Sequence, residues 1–187
     1  MQNGKTVTTG LVLRVTETKE ADKILTVLTP DMGKIPLIAR GARRKNSRIA
    51  AASQLLAYSE LTLYKRGNWH MLDEASTLEL FDGVRQDIVL LSLASYFAEA
   101  AEAVCAEETT SPEILSLLLN ALYALCYLHK EPRLVKAAFQ FRLMALAGFE
   151  PLASGCAVCG REEPEAPMLD VVHGLSLIHI SEPTRLR

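Results

Sequence analysis

The sequence predicts an α+β fold in which a small closed barrel of five β-strands precedes an α-helical region. Residues 5–81 contain short apolar runs separated by turn residues, with no helical pattern between most of them. From residue 82 onward, apolar residues recur with a helical period in segments rich in Leu and Ala. This change of period divides the chain into a strand-rich half and a helix-rich half.

The five strands are predicted from runs of apolar and β-branched residues. The first is centred on Leu11, Leu13 and Val15, which alternate with residues that face the other way. The other four are predicted at Ile24–Leu28, Lys34–Ala42, Leu61–Tyr64 and Trp69–Leu80, the last with a bulge at Ala75 and Ser76. Residues 46–57, in the long connection between the third and fourth strands, are expected to contain a helical turn.

Three helices are predicted in the second half, over residues 88–102, 112–129 and 134–147. The second has a recognisable start, because Ser111 is a favourable N-cap residue and Pro112 suits the first helical position. Gly148 follows the third helix and is well placed as the C′ residue that ends it. Residues 150–174 contain several Pro and Gly and are expected to form loops.

Length and composition describe a folded protein with an uneven charge distribution. The chain has 187 residues, of which 49% are hydrophobic, so a core can form and the chain is not disordered. The formal net charge is −2, yet residues 1–80 carry 12 Lys/Arg against 8 Asp/Glu, and residues 81–187 carry 8 against 14. This asymmetry suggests a basic binding region joined to an acidic one.

Export and membrane insertion are not expected. The N-terminus lacks the apolar segment of a signal peptide, and the longest apolar stretches are too short and too polar to span a bilayer. Four cysteines in a chain without an export signal are expected to be reduced thiols, which predicts a cytoplasmic location. Two of them, Cys105 and Cys126, lie on apolar helix faces and are predicted to be buried small hydrophobes.

Positive charge is concentrated around the third predicted strand and the loop after it. Residues 34–66 contain eight Lys/Arg and one acidic residue, Glu60. Clustered cations bind nucleic-acid phosphates by releasing condensed counterions, whereas the plainer interpretation is a solvated loop that aids solubility. On a barrel of the OB type, the face of strands two and three and the adjacent loops form the usual groove for single strands. The predicted DNA contacts are Lys34 and Arg40 on the third strand, and Arg43, Arg44, Lys45 and Arg48 beyond it.

Other side chains with possible chemistry carry a weaker signal. Tyr58, Tyr64 and Trp69 could offer stacking surfaces to bases, but a half-buried core position is expected for each. His70 is expected at the surface of the last strand, with no chemistry assigned to it. The sequence contains no Ser-His-Asp set, paired carboxylate cluster, P-loop or HExxH motif, so an enzyme is disfavoured.

The motif Cys156-Ala157-Val158-Cys159-Gly160 can place two thiolates on one metal ion. A redox role for a CxxC pair needs a βαβ context, which the sequence does not predict, so structural zinc is favoured. Zinc prefers four ligands, however, and no second CxxC follows; His173 is a weak third candidate. The predicted metal ligands are therefore Cys156 and Cys159, with a second pair missing from this chain.

Several segments together resemble the bacterial RecO family of DNA repair proteins. The matching N-terminal pieces are Thr9–Leu13, Glu20–Thr29, Gly33-Lys34 and Ala39–Arg44. Downstream, Ala145–Leu152 followed by Cys156–Gly160 looks like the helix of that family leading into its zinc module. The resemblance covers residues 1 to about 174.

The resemblance implies an N-terminal OB barrel, a helical domain and a zinc-binding insertion. It also implies a recombination mediator that binds single-stranded DNA, anneals complementary strands, and helps load RecA together with RecR on strands coated by single-strand-binding protein. Partners would be single-stranded DNA, RecR and single-strand-binding protein, with RecA indirectly, and no membrane. The location would be the bacterial cytoplasm, in association with the nucleoid.

Two departures from the family pattern concern the C-terminal part. The second CxxC is absent, and residues 175–187 resemble translated sequencing-adapter sequence rather than the family. Native sequence is expected to stop near Gly174, so zinc is expected in the full-length protein and only weakly in this chain. The predicted organisation is an OB-fold domain at 1–81, a helical domain at 82–149, a partial zinc module at 150–174 and a non-native tail at 175–187.

Two other functions remain open at the level of sequence. The chain could be a protein-interaction adaptor whose helical domain binds a partner peptide, with incidental nucleic-acid contact, because the half with net negative charge is a poor DNA surface. An OB protein that binds RNA is also compatible with the charge pattern.

Overall fold

The computed structural model describes residues 4–107, 109–150, 156, 162, 168–170 and 175–178. The chain divides into two compact units, residues 1–143 and residues 144–187. The first unit contains a β-barrel and most of the helical region, and in the second the end of the last helix is followed by a short strand pair.

The elements follow the predicted order, with strands first and helices after them. The barrel strands are β1 (Thr6–Thr18), β2 (Asp22–Thr29), β3 (Gly33–Ala39), β4 (Tyr58–Arg66) and β5 (Trp69–Glu79). The helices are α1 (Asp82–Arg85), α2 (Ile88–Val104), α3 (Pro112–Cys126) and α4 (Pro132–Leu146). Two short strands follow, β6 (Met168–Asp170) and β7 (Leu175–Ile178).

The five N-terminal strands form a closed barrel in the order β1-β2-β3-β5-β4. Neighbouring strands are antiparallel except β3 and β5, which run parallel. The first half of β1 pairs with β4 and its second half with β2, and a register shift between Val12 and Arg14 marks the change of partner. This arrangement confirms the predicted five-stranded barrel, which is OB-like, and the α+β class.

The barrel interior is filled by the alternating side chains that predicted the strands. Leu25 and Val27 of β2 are buried, as are Ile35 and Leu37 on the facing strand β3. Leu61 and Leu63 of β4 and Leu72 of β5 belong to the same cluster. Removing each such side chain from water contributes about 1.5–3 kcal/mol to the stability of the barrel.

The barrel is closed by a short seam between β3 and β5. Only two residue pairs join these strands, Leu37 with His70 and Ile38 with Met71. By contrast, β2 and β3 are joined by seven pairs that run from Lys23 with Ala39 to Thr29 with Gly33.

The predictions for β5 require two corrections. The register with β4 shifts at Asp73 and at Leu78, so the irregularities do not lie at Ala75 and Ser76. His70, expected at the surface, is buried where β5 pairs with Leu37 of β3. Residues 70–72 are buried in succession, so the alternation of buried and exposed residues is interrupted just before the register shift at Asp73.

The connection from β3 to β4 consists of successive turns rather than a regular helix. Ser47, Ala50 and Gln54 each donate a backbone hydrogen bond to the carbonyl three residues earlier. Ser53 also donates to the carbonyl of Ile49, which closes one α-turn. The expected helical turn in residues 46–57 is therefore present as a single turn within this connection.

The helix ends agree only partly with the sequence prediction. Asp87 caps α2, because its carboxylate accepts hydrogen bonds from the N–H groups of Val89 at 2.7 Å and Leu90 at 3.2 Å. Ser111 precedes α3 but makes no side-chain capping hydrogen bond, and α3 ends at Cys126 rather than near residue 129. After α4, Gly148 donates to the carbonyl of Ala145 and Phe149 to that of Met144, which is the Schellman pattern.

The helices pack on each other through aromatic and aliphatic side chains. Phe97 of α2 stacks on Phe139 of α4 with ring centroids 4.2 Å apart, and both are buried. Beside this pair, Gln140 donates to the Tyr96 hydroxyl at 2.6 Å. Leu118 and Leu122 supply the fully buried stripe of α3.

Glu79, the last residue of β5, fastens the barrel to the helices. Its carboxylate accepts hydrogen bonds from the N–H of Leu80 at 2.8 Å and of Phe81 at 2.7 Å, and from the Tyr127 hydroxyl at 2.8 Å. Partial burial by itself would raise the pKa of the Glu79 carboxyl, but these three hydrogen bonds outweigh it and the pKa is lowered. The bond to Glu79 in turn raises the pKa of Tyr127 to about 12.

Within residues 144–187, the described strands β6 and β7 pair in antiparallel fashion. Most of the predicted zinc module at 150–174 and residues 179–187 of the predicted non-native tail lie outside the described residues. No helix in the described part of the chain is long and apolar enough to cross a membrane.

Candidate nucleic-acid interface

The predicted basic loop begins at the end of β3, beside the turn that joins β1 to β2. The last pair between β2 and β3 is Lys23 with Ala39, so β3 stops there. Arg40 therefore lies in the turn after β3. The prediction that placed it on the third strand was wrong. Since β2 starts where β3 ends, residues 19–21 and the basic loop lie at the same end of the barrel.

Hydrogen bonds from the barrel fix both ends of this loop. At its start, the Gly41 N–H donates to the Asp22 carboxylate at 2.8 Å, and the Arg43 N–H donates to the carbonyl of Ala21 at 3.0 Å. At its end, the Leu56 N–H donates to the carbonyl of Val12 at 2.9 Å. Both ends of the loop are therefore anchored to the β1–β2 hairpin.

Two apolar side chains determine which loop residues face water. Ala42 and Ile49 belong to the barrel core cluster and are buried. The residues between them include Arg43, Arg44, Lys45 and Arg48, and all four are exposed. Burial of these two apolar anchors leaves the cations between them at the surface, where they are accessible to phosphates.

Two of the predicted contact residues share an open cavity with a cation that the sequence prediction missed. Lys19, Arg40 and Arg44 line an open cavity of about 410 Å³ together with Asp22 and Gly41. Lys19 precedes β2 by three residues, so it belongs to a different segment of sequence from the basic loop. The signal that could have identified it is topological, because an antiparallel β1–β2–β3 meander places the first turn beside the end of the third strand.

Acidic residues reduce the local charge more than the loop sequence suggests. The Arg43 guanidinium lies 3.1 Å from the Glu17 carboxylate and also donates to the carbonyl of Glu20 at 3.4 Å. Asp22 is engaged with the loop backbone. By contrast, four of the predicted contacts make no ion pair with the described residues: Arg40, Arg44, Lys45 and Arg48.

Lys34 lies apart from this group. It is the second residue of β3, and Arg40 follows the other end of the strand, so about 20 Å of extended chain separates them. The half-buried Lys34 ammonium donates to the carbonyl of Glu102 in the last turn of α2 at 2.8 Å. Glu102 also pairs with Arg14 at 2.8 Å, so these two cations join the barrel to α2.

The outer strip of β2 and β3 is partly or fully exposed and mostly apolar. It consists of Ile24 paired with Ile38, and Thr26 paired with Pro36. The strip ends at the basic loop, in the place where OB folds commonly bind single strands. Of the barrel aromatics, Tyr58 and Tyr64 are half-buried as expected, whereas Trp69 is 45% exposed at the start of β5.

Arg85 of α1 connects the helical region to the end of the basic loop. Its guanidinium donates to the carbonyl of Leu55 at 2.5 Å and to that of Leu80 at 3.1 Å. These bonds fix the last turn of the loop against the first turn of the helical region.

The cysteines do not form a metal site within the described residues. Cys156 is buried, whereas Cys159 lies outside the described residues. No group of three or more His, Cys, Asp or Glu in the described part of the chain could hold a metal ion. Cys105 and Cys126 are buried as predicted, and burial raises the pKa of the Cys105 thiol.

Comparison with known proteins places both halves of the chain in one family. Residues 1–81 match the family model described as Recombination protein O N terminal, and residues 85–177 match Recombination protein O C terminal. The chain is 34% identical over 153 residues to a protein of Acetivibrio thermocellus named DNA repair protein RecO, covering 82% of this chain and 61% of that protein. Proteins of the same name from Symbiobacterium thermophilum and Caldicellulosiruptor bescii are 33% and 34% identical, covering 82% and 83% of this chain and 60% and 64% of theirs. The chain thus spans about three-fifths of the length of these relatives.

Proposed function

Because this chain belongs to the RecO family, we propose that it acts in DNA repair as a protein that binds single-stranded DNA rather than as an enzyme. The observation that carries the proposal is the group of exposed cations at one end of the barrel, on a loop whose ends are hydrogen-bonded to neighbouring strands. These cations are Lys19, Arg40, Arg44, Lys45 and Arg48, which we call the basic cluster.

The physical basis of binding is neutralisation of backbone phosphates. Each phosphate that a Lys or Arg neutralises releases condensed counterions, which makes affinity fall as salt rises. A loop whose ends are anchored loses less backbone entropy on binding than a free loop would, and this favours affinity. Lys34 is assigned no phosphate contact in this proposal, because its ammonium donates a hydrogen bond to a carbonyl of α2.

The proposal is tested by reversing three cations of the basic cluster that make no ion pair within the described residues. The variant is Arg44→Glu, Lys45→Glu and Arg48→Glu, compared with a control of equal charge change, Arg66→Glu, Lys130→Glu and Arg133→Glu. Binding of a labelled oligonucleotide is followed by fluorescence anisotropy across a salt series. Thermal melting and circular dichroism establish that both variants are folded.

Three phosphate contacts on a single strand correspond to a decrease of about 2 in the slope of log affinity against log salt. These contacts contribute little at about 1 M salt, and over the tenfold fall to about 0.1 M a slope shallower by about 2 corresponds to about a hundredfold difference in affinity. The basic-cluster variant should therefore bind about a hundredfold more weakly than wild type at about 0.1 M salt, and the control should lose much less. If the basic-cluster variant keeps both its affinity and its salt slope, the loop is not the binding site.

We further propose that the full-length protein anneals complementary strands and helps load RecA, with RecR, on strands coated by single-strand-binding protein. Family membership supports this role, and zinc held by Cys156, Cys159 and two further ligands would stabilise that longer protein. An annealing assay on coated strands, with wild type and the basic-cluster variant, tests the role. Competition between single-stranded DNA and RNA of one sequence tests the nucleic-acid preference.

A second candidate function, a protein-interaction adaptor, is favoured by a groove between α3 and α4. This open apolar cavity of about 340 Å³ includes Ala121, Leu134 and Ala138 in its lining. An amphipathic helix or an extended peptide could occupy such a groove. Pulldowns with and without nuclease separate the two functions, because partners bound only through nucleic acid are lost after digestion.

A further inference from the structure

We infer that the basic cluster and the adjoining strip bind the sugar-phosphate backbone of DNA and do not recognise or stack its bases. This inference rests on the proposed function and goes beyond it, because it assigns the chemical part of the strand that the site contacts. OB-fold proteins that bind single strands usually combine a cationic groove with aromatic side chains on which bases stack. The two components can be examined separately in this chain.

The cationic component is complete. Lys19, Arg40 and Arg44 come from two different segments and surround one open cavity, and Lys45 and Arg48 extend the positive surface along the loop. The guanidinium groups of Arg40 and Arg44 can each donate two parallel hydrogen bonds to phosphate oxygens. Asp22, the acidic residue of the cavity, is engaged with the Gly41 N–H.

No aromatic side chain lies on β2, β3 or the basic loop. Residues 1–57 contain no Phe, Tyr or Trp, and this range includes β1, β2, β3 and the whole basic loop. The outer strip offers Ile24, Thr26, Pro36 and Ile38 instead. Aliphatic side chains can contact sugars and base edges, but they give little of the attraction that a base finds on an aromatic face.

Trp69 is the one aromatic residue of the barrel that is exposed beside β3. It directly precedes His70, which pairs with Leu37 in parallel, so it lies level with Pro36 on the side of β3 away from β2 and borders the outer strip. It is also the only Trp in the chain, and its fluorescence therefore reports specifically on this position. Tyr58 and Tyr64 belong to β4, which neighbours β1 and β5 rather than β2 or β3.

The test compares two oligomers of about 20 nucleotides, longer than the roughly 4–16 nucleotides that one OB fold covers. One is oligothymidylate, and the other has the same backbone with abasic tetrahydrofuran sites throughout. The inference predicts affinities within about threefold of each other, equal salt slopes, and no quenching of Trp69 specific to thymidylate. A single stacked base would instead favour thymidylate by about 5-fold to 150-fold.

Two variants make the result decisive. Trp69→Leu should leave the thymidylate-to-abasic ratio unchanged, whereas Ile38→Tyr places an aromatic ring on the strip and should raise that ratio. Preference for thymidylate in the wild type, lost in Trp69→Leu, would overturn the inference and leave the proposed function intact. Failure of the wild type to bind either oligomer would overturn the proposed function and the inference with it.

Discussion

Two glycines of the barrel offer a direct measurement of how tightly the segment before α3 packs against the β2–β3 turn. Gly33 and Gly67 have nearly the same left-handed backbone conformation, with φ of +67° and +62°. A Cβ atom at Gly67 would meet nothing within 4 Å, whereas at Gly33 it would collide with the backbone of Thr109. Alanine at either position carries the same conformational penalty, and only Gly33→Ala adds a clash.

The magnitudes follow from these two terms. The left-handed conformation costs an alanine about 1–2 kcal/mol, which is the whole expected effect of Gly67→Ala. Overpacking against fixed backbone adds about 1–3 kcal/mol for Gly33→Ala. The neighbourhood can relax little, because the Thr29 hydroxyl, buried in the same turn, donates to the Gly33 carbonyl at 3.0 Å.

Thermal unfolding followed by circular dichroism measures the difference. With about 2–4 °C per kcal/mol for a chain of this size, Gly33→Ala should melt roughly 2–12 °C below Gly67→Ala. Equal melting temperatures would refute the reasoning, because they would mean that Thr109 does not lie against the β2–β3 turn in solution.

Three further predictions concern the helical region, the junction and the CxxC motif. Phe139→Ala should lower the free energy of unfolding by about 3–5 kcal/mol in urea titrations, because it removes a buried ring stacked on Phe97, and the exposed Phe141→Ala should change it by less than about 0.5 kcal/mol. The lowered pKa of Glu79 stabilises the fold above the ordinary value of 4.5, and this contribution disappears as the pH falls through the lowered pKa; Glu79→Gln should therefore be less stable than wild type at neutral pH, by a difference that shrinks as the pH falls below 4.5, and a constant difference would contradict the assignment. Zinc measured by atomic emission should be well below one ion per chain after chelator treatment, since Cys156 and Cys159 cannot complete a tetrahedral site; stoichiometric zinc that resists the chelator would show that other ligands complete it.

Alternation of apolar residues predicted the barrel because each strand has one face inside the core. Leu25, Val27, Ile35 and Leu37 occupy the buried positions that this pattern assigns to them. The exact end of β3 was not predictable from local sequence. The pairing with β2 ends at Lys23 with Ala39, and beyond it the Gly41 N–H donates to the Asp22 carboxylate. That contact decides that Arg40 belongs to the loop.

The candidate site was predicted in its local part and missed in its long-range part. The cations of the loop stand together in the sequence, so their clustering needed no knowledge of the fold. Lys19 joins them only because two strands fold back, and Lys34 leaves them because a helix 68 residues away presents the Glu102 carbonyl to it. Such contacts depend on tertiary packing, which overrides the local charge pattern.

The short seam between β3 and β5 affects how the barrel opens. Hydrogen bonds along the other strand pairs hold most of the wall, but this boundary rests on Leu37 with His70 and Ile38 with Met71. Local opening begins where the fewest bonds must break, so amide hydrogens at this boundary should exchange faster than those between β2 and β3. Ile38 also belongs to the outer strip beside the basic cluster. Single-stranded DNA bound there would stabilise the β3–β5 boundary. Bound DNA should then slow amide exchange at this boundary as well as at the residues that it contacts.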